Sequence, residues 1–193
     1  MTPSPTTLEQ DFDRLRARLC NEDFLHNRGL GNEVGFFVFP YDAARELEVR
    51  RRTAALVAES QKNKIPVNIV ERNLWQVFLG ICKQKRILDR IPALEERRGS
   101  DALLKKLQRV ATPEAFAEAM DYAPRDPGHD VLLITGVGQV YPFVRAHAIL
   151  ENAQPVFEDI PVVLMYPGRY DGQQLHLFDR IDDGNYYRAF NLL

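Results

Sequence analysis

The stretch Val131-Leu-Leu-Ile134-Thr-Gly136-Val-Gly138-Gln-Val140-Tyr141-Pro-Phe-Val-Arg145-Ala-His147-Ala-Ile-Leu150, followed by Ile160-Pro-Val162-Val-Leu-Met-Tyr166-Pro-Gly168-Arg169, decides the fold. An apolar run of strand length, Val131 to Ile134, ends in Thr135-Gly136. A helical pattern follows over residues 140–153, and a second apolar run, Val162 to Tyr166, ends in Pro167-Gly168. Runs that are apolar at every position suit strands covered on both faces, and a parallel pair needs a crossover of helical length. The stretch therefore reads as a βαβ unit of a mostly parallel sheet. In such sheets ligands and partners meet the loops at the carboxyl ends of the strands, here Thr135 to Gly138 and Tyr166 to Gly172.

Outward from this unit, Leu8, Phe12, Leu15 and Leu19 recur at helical spacing, and Thr7 with Gln10 forms a candidate capping box. Residues 1–6 read as a disordered lead. Val34 to Phe39 is a strand ended by Pro40-Tyr41-Asp42, with Asp42 placed to cap a helix over residues 43–63. In that helix Arg50-Arg51-Arg52 invites a phosphate-binding reading. Glu46 and Glu48 stand four residues before Arg50 and Arg52, however, which is the spacing of surface ion pairs, and that plainer reading is preferred. Ile65 to Val70 is a second strand with Pro66 at its start, followed by an amphipathic helix marked by Leu74, Phe78, Ile81 and Cys82. Residues 83–126 read as a helical insertion of two or three short pieces, over 87–96, 103–110 and 113–120, with Pro113 at a first helical position. Gln174 to Phe178 reads as an edge strand. The expected architecture is one α/β domain over residues 1–193, Rossmann-like, with four or five strands and helices on both faces.

A length of 193 residues is enough for a full core without disulfides or metals. The formal charge of -2 gives no global reason to expect a polyanionic partner, yet the charge is uneven. Lys83 to Arg109 holds nine basic and four acidic residues, whereas Leu150 to the end holds three basic and seven acidic. Cys20 and Cys82 are isolated, the amino terminus lacks signal-peptide character, and no apolar run approaches spanning length. A cytoplasmic protein without membrane attachment is expected.

The chemistry is sparse. Gly136-Val-Gly138 after a strand suggests a dinucleotide turn, but Tyr141 occupies the third glycine position, and no phosphate-loop lysine is present. Thr135, Gly136 and Gly138 remain a candidate anion or nucleotide loop through their backbone amides. Ser4, Ser60 and Ser100 are not at strand ends, and His26, His129, His147 and His176 have no metal-ligand spacing. Asp42 and Asp171 each follow a tyrosine beyond a strand, where turn capping is the expected role. Lys105, Lys106 and Arg109 are candidates for phosphate contact with DNA. No catalytic residue, metal or cofactor is expected.

Taken together, Gly29-Leu-Gly-Asn-Glu-Val34, Thr135 to His147, Tyr166-Pro-Gly-Arg-Tyr-Asp-Gly172 and Asn185-Tyr-Tyr-Arg-Ala-Phe190 resemble the BrxB family of bacterial BREX bacteriophage-exclusion systems. The resemblance implies a non-catalytic scaffold that binds PglZ, a phosphatase-superfamily protein. It also implies BrxC, an ATPase, and PglX, a DNA methyltransferase, as neighbours in a complex that methylates host DNA and restricts phage. On that reading Tyr141, Arg145, Tyr170, Tyr186 and Arg188 are partner-binding candidates, because exposed aromatics and arginines are favoured as anchors. A degenerate nucleotide-sensing domain and a DNA-contacting module are the alternatives.

Overall fold

The structure, a computed structural model, describes residues 7–28, 35–182 and 189–193. Five parallel strands run in the order β2-β3-β4-β1-β7: β1 Phe36–Tyr41, β2 Asn68–Asn73, β3 Asp130–Thr135, β4 Val162–Tyr170 and β7 Phe190–Asn191. Two short antiparallel strands, β5 Leu175–Leu177 and β6 Ile181–Asp182, extend from the end of β4. The expected mostly parallel α/β sheet with helices on both faces is what forms.

The pleat sorts the strands' side chains onto two faces. On one face Phe37, Phe39, Ile69, Val131, Leu133, Val163 and Met165 pack against α1 (Leu8–Leu19), α2 (Glu22–Leu25) and α3 (Glu46–Gln61). On the other, Phe36, Val38, Leu132, Ile134, Val162, Leu164 and Tyr166 pack against five elements. These are α4 (Leu74–Gln84), α6 (Ser100–Val110), α7 (Pro113–Met120), α8 (Val137–Val140) and α9 (Ala146–Ala153). The remaining helix, α5 (Ile91–Arg98), buries no residue fully and leans on α6. Each of the four residues Val131 to Ile134 is fully buried, which explains their unbroken apolar run.

Local signals set the helix boundaries. Thr7 and Gln10 form the capping box of α1, whose buried positions are Leu8, Phe12, Leu15 and Leu19. Asp42 accepts from the Ala44 amide at 2.9 Å, and a short 3₁₀ turn leads into α3. Thr112 caps α7 with Pro113 at its first position. Three expectations are corrected. The second strand is Asn68–Asn73 rather than Ile65 to Val70, so Pro66 precedes it. The first strand continues through Pro40 and Tyr41; Pro40 lies beyond the two residues that pair with β7, where a missing amide breaks no ladder. The helical pattern over residues 140–153 is split, because Tyr141 and the cis-linked Pro142 interrupt it between α8 and α9.

The end of β4 turns the glycine motif into a hairpin. At Gly168 φ is +148°, and a Cβ there would lie 2.1 Å from the carbonyl oxygen of His176 on β5. Tyr170 is buried, and its phenol donates to the Ala189 carbonyl at 2.7 Å while accepting from the Ala189 amide. Asp171 accepts from the amides of Gln173 and Gln174, an Asx turn, and its other oxygen lies 3.2 Å from Nε2 of His176. Asp182 contacts the other ring nitrogen of His176.

Candidate functional site

Along one face the strands change character at their carboxyl ends. Ile69 gives way to Glu71 and Asn73, Leu133 to Thr135, and Phe39 to Tyr41, each two residues on and so on the same side of the sheet. The register places Asn73 opposite Thr135, and Thr135 one pair beyond Ile134, which faces Leu164, so that Met165 continues the row. The amino-terminal half of α3 lies over these ends. Between them is a cleft of about 560 Å³, lined by residues of α3 and of all four long strands, together with Gly136 and Gln139.

A polar network organises its floor. The Thr135 hydroxyl donates to Glu71 Oε1 at 2.8 Å. Asn73 Nδ2 reaches both Thr135 Oγ1 and Gln139 Oε1 at 3.2 Å, while Asn73 Oδ1 caps α4 through the Gln76 amide. On the α3 side the Tyr41 phenol donates to Glu46 Oε2 at 2.5 Å. Burial first, and then this bond to a carboxylate, push the Tyr41 phenol far above its ordinary range, so it stays protonated. The expected ion pairs of α3 form only in part. Glu48 pairs with Arg52 and with Arg45, but Glu46 is taken by Tyr41, leaving Arg50 and Arg51 exposed on the cleft wall. Leu47, 75% exposed, stands at the rim.

The candidate loop is only partly at this site. Thr135 and Gly136 line the cleft, and Gly136 has φ +79°, so the glycine serves a left-handed strand-to-helix turn. Gly138 instead packs away from it, since a Cβ there would lie 2.9 Å from the Phe178 ring and 3.3 Å from Pro167. The second expected loop, Tyr166 to Gly172, is absorbed in the hairpin.

The partner-binding candidates are dispersed. Tyr141 is half-buried against the core, and exposed Arg145 donates to the Asp182 carbonyl at 3.5 Å. Tyr170 is buried with its phenol bonded within the chain, so it offers no exposed anchor. Tyr186 and Arg188 lie outside the described residues, as does the stretch Gly29 to Val34. On α6, Leu103 and Leu107 are buried, Lys105 and Arg109 are exposed and Lys106 is half-buried, on an element that does not line the cleft. Among the described residues no group of three or more histidine, cysteine or acidic side chains is arranged to hold a metal ion. No helix among them is long and apolar enough to cross a membrane.

Sequence reading missed Tyr41, Glu46, Arg50, Arg51, Glu71, Asn73 and Gln139 as cleft residues. The available signal was the polar turn of each strand at its last same-face position, together with the arginine triplet on the helix that crosses above.

These features define a three-layer α/β protein with a parallel sheet and a polar cleft where the strands end. The chain belongs to the BrxB family: the family model described as BREX protein BrxB matches residues 70–192. A BREX protein BrxB of Bacillus cereus (strain H3081.97) is 35% identical over 190 residues, covering 96% of this chain and 97% of the relative. One of Escherichia coli O9:H4 (strain HS) is 29% identical over 186 residues, covering 96% and 92%. No solved structure matches. Membership makes this chain a component of a BREX antiphage system.

Proposed function

We propose that the chain is a non-catalytic adaptor of its BREX system, working in the bacterial cytoplasm by binding PglZ and thereby supporting host DNA methylation and phage restriction. The observation that supports this reading is the match to two BREX proteins BrxB over 96% of the chain. Exposed Arg145, which also donates to the Asp182 carbonyl, and half-buried Tyr141 flank the break between α8 and α9 and are the described candidates for partner contact. Size-exclusion chromatography with light scattering, on this protein mixed with PglZ from the same host, tests it. A stoichiometric complex is expected, and its persistence or loss at high salt separates apolar from charged contacts. Absence of a complex at both salt concentrations refutes direct binding of PglZ.

A second reading rests on α6. Lys105 and Arg109 are exposed and have no ion pair among the described residues. If α6 meets duplex phosphates, DNA binding falls steeply with salt, and neutralising Lys105, Lys106 and Arg109 flattens that dependence.

A further inference from the structure

We infer that the cleft beneath α3 is a binding site for a phosphorylated sugar of nucleoside monophosphate size, independent of any partner protein. Its volume, about 560 Å³, falls in the range of about 300–1,000 Å³ usual for small-molecule sites. Its position, where four parallel strands end beneath the crossover helix, is where open α/β sheets bind ligands.

The lining has unfilled hydrogen-bonding capacity. Among the described residues, the Arg50 and Arg51 guanidiniums have no ion pair or hydrogen bond, and Glu46, the carboxylate spaced to pair with Arg50, is bonded to Tyr41 instead. Two adjacent guanidiniums without carboxylates suit a phosphate, which they match in geometry and charge. At the floor, Thr135 occupies only one oxygen of Glu71, and Gln139 uses only its carbonyl, so Glu71 Oε2 and Gln139 Nε2 have no partner among the described residues. A free carboxylate oxygen beside an amide donor is suited to a vicinal diol, the role acidic side chains play toward ribose in dinucleotide-binding sheets. Thr53 adds an independent sign. It lines the cleft at 3% exposure, and its hydroxyl has no hydrogen-bond partner among the described residues, a state native proteins rarely leave uncompensated. Leu47, Val49 and Met165 give the apolar surface a ring would cover.

The charge balance narrows the class. Two arginines and two glutamates line the cleft, so its formal charge is zero; one phosphate at Arg50 and Arg51 is tolerated, whereas the added charge of a triphosphate has no further cation to meet it. The phosphate is not assigned to the glycine turn, because Glu71 and Asn73 crowd that end and Gly138 packs on Phe178.

Isothermal titration of the full chain with AMP, GMP, ATP, adenosine, ribose 5-phosphate and inorganic phosphate tests the assignment. Saturable binding of a monophosphate or of ribose 5-phosphate is expected, with adenosine and inorganic phosphate each weaker by about tenfold or more and ATP no tighter than AMP. The double variant Arg50→Ala/Arg51→Ala should weaken AMP by about tenfold or more while leaving adenosine unchanged. Glu71→Gln should weaken AMP and adenosine by the same factor, and K105A/K106A should change neither. Thermal unfolding of each variant separates lost binding from lost folding. Three results overturn the inference. These are no saturation by any monophosphate or by ribose 5-phosphate at millimolar concentration, binding indifferent to Arg50 and Arg51, or inorganic phosphate binding as tightly as AMP.

Discussion

Replacing Gly168 by alanine tests the hairpin at its tightest point. The new Cβ would sit 2.1 Å from the His176 carbonyl oxygen and 2.9 Å from the Phe178 nitrogen, whereas ordinary contact begins near 3.4 Å. Both neighbours are backbone, so β5 must withdraw by more than an ångström. The φ of +148° adds a strain of about 1–3 kcal/mol for any residue with a side chain. Withdrawal also stretches the bond from the Phe178 amide to the Pro167 carbonyl, now 2.8 Å, with a net loss of about 1 kcal/mol. A total near 3 kcal/mol corresponds to a fall in Tm of roughly 6–12 °C for a chain of this length. Gly80→Ala is the internal control. It lies in α4, exposed, with nothing within 4 Å of its added Cβ, so helix propensity should raise stability by about 1 kcal/mol. Urea unfolding and calorimetry report the global values, and hydrogen exchange at the β5 amides shows whether the damage stays local. A Gly168→Ala protein within 1 kcal/mol of the parent, or a destabilised Gly80→Ala protein, would refute the argument.

Ser60→Ala should lower stability by about 1–3 kcal/mol in urea unfolding, because the Ser60 hydroxyl donates to the Val67 carbonyl and accepts from the Ile69 amide, both at 2.8 Å and buried. Tyr170→Phe should cost about 1 kcal/mol and speed hydrogen exchange at Ala189, which loses both contacts to the phenol. Thr53→Val should leave the unliganded protein equally or more stable by up to about 1 kcal/mol, since it removes a buried hydroxyl without a partner; clear destabilisation would show that the hydroxyl is satisfied. The hairpin should have a pH window readable by exchange at β5. The amides of Gln174 and Gln173, and then His176, hold Asp171 down to about 2, so its contribution is present above 3.8 and is lost as pH falls from there toward 2. Asp182 first, and then Asp171, raise His176 above 6.5, so its contribution is present below 6.5 and is lost as pH rises through the higher folded value. Protection should therefore peak between these limits, and His176→Gln should abolish the alkaline loss alone.

The sequence was most legible where a side chain's local role and its buried role agree. Val131 to Ile134 and Val162 to Met165 are apolar because both faces are covered, and Leu8, Phe12, Leu15 and Leu19 are spaced as their helix requires. It misled where the two roles diverge. Ile65 and Val67 look like strand residues, yet they bury themselves in the approach to β2, while the strand keeps Asn68, Ile69 and Val70 of the expected stretch and continues through the polar Glu71, Arg72 and Asn73. The same polarity that hid the strand makes the floor of the cleft, so strand boundary and site were missed for one reason. Likewise the continuous apolar pattern after Gly138 concealed a break at Tyr141-Pro142. The glycine and tyrosine motif around Gly168 looked like a surface for partners, and its contacts instead close the hairpin.

The placement of β1 bears on how the chain is made. Its neighbours among the described residues are Val162 to Pro167 on one side and Phe190 to Asn191 on the other, so β1 is paired by segments more than 120 residues further along the chain. During synthesis β2 and β3 can join as soon as Thr135 has left the ribosome, but Phe36 to Phe39 must wait for β4. Closure of so long a loop delays the pairing, and an apolar edge exposed meanwhile invites association with other chains. Until β4 is made, α1 to α3 can cover one face of β1 through Phe37 and Phe39, but both of its edges stay open.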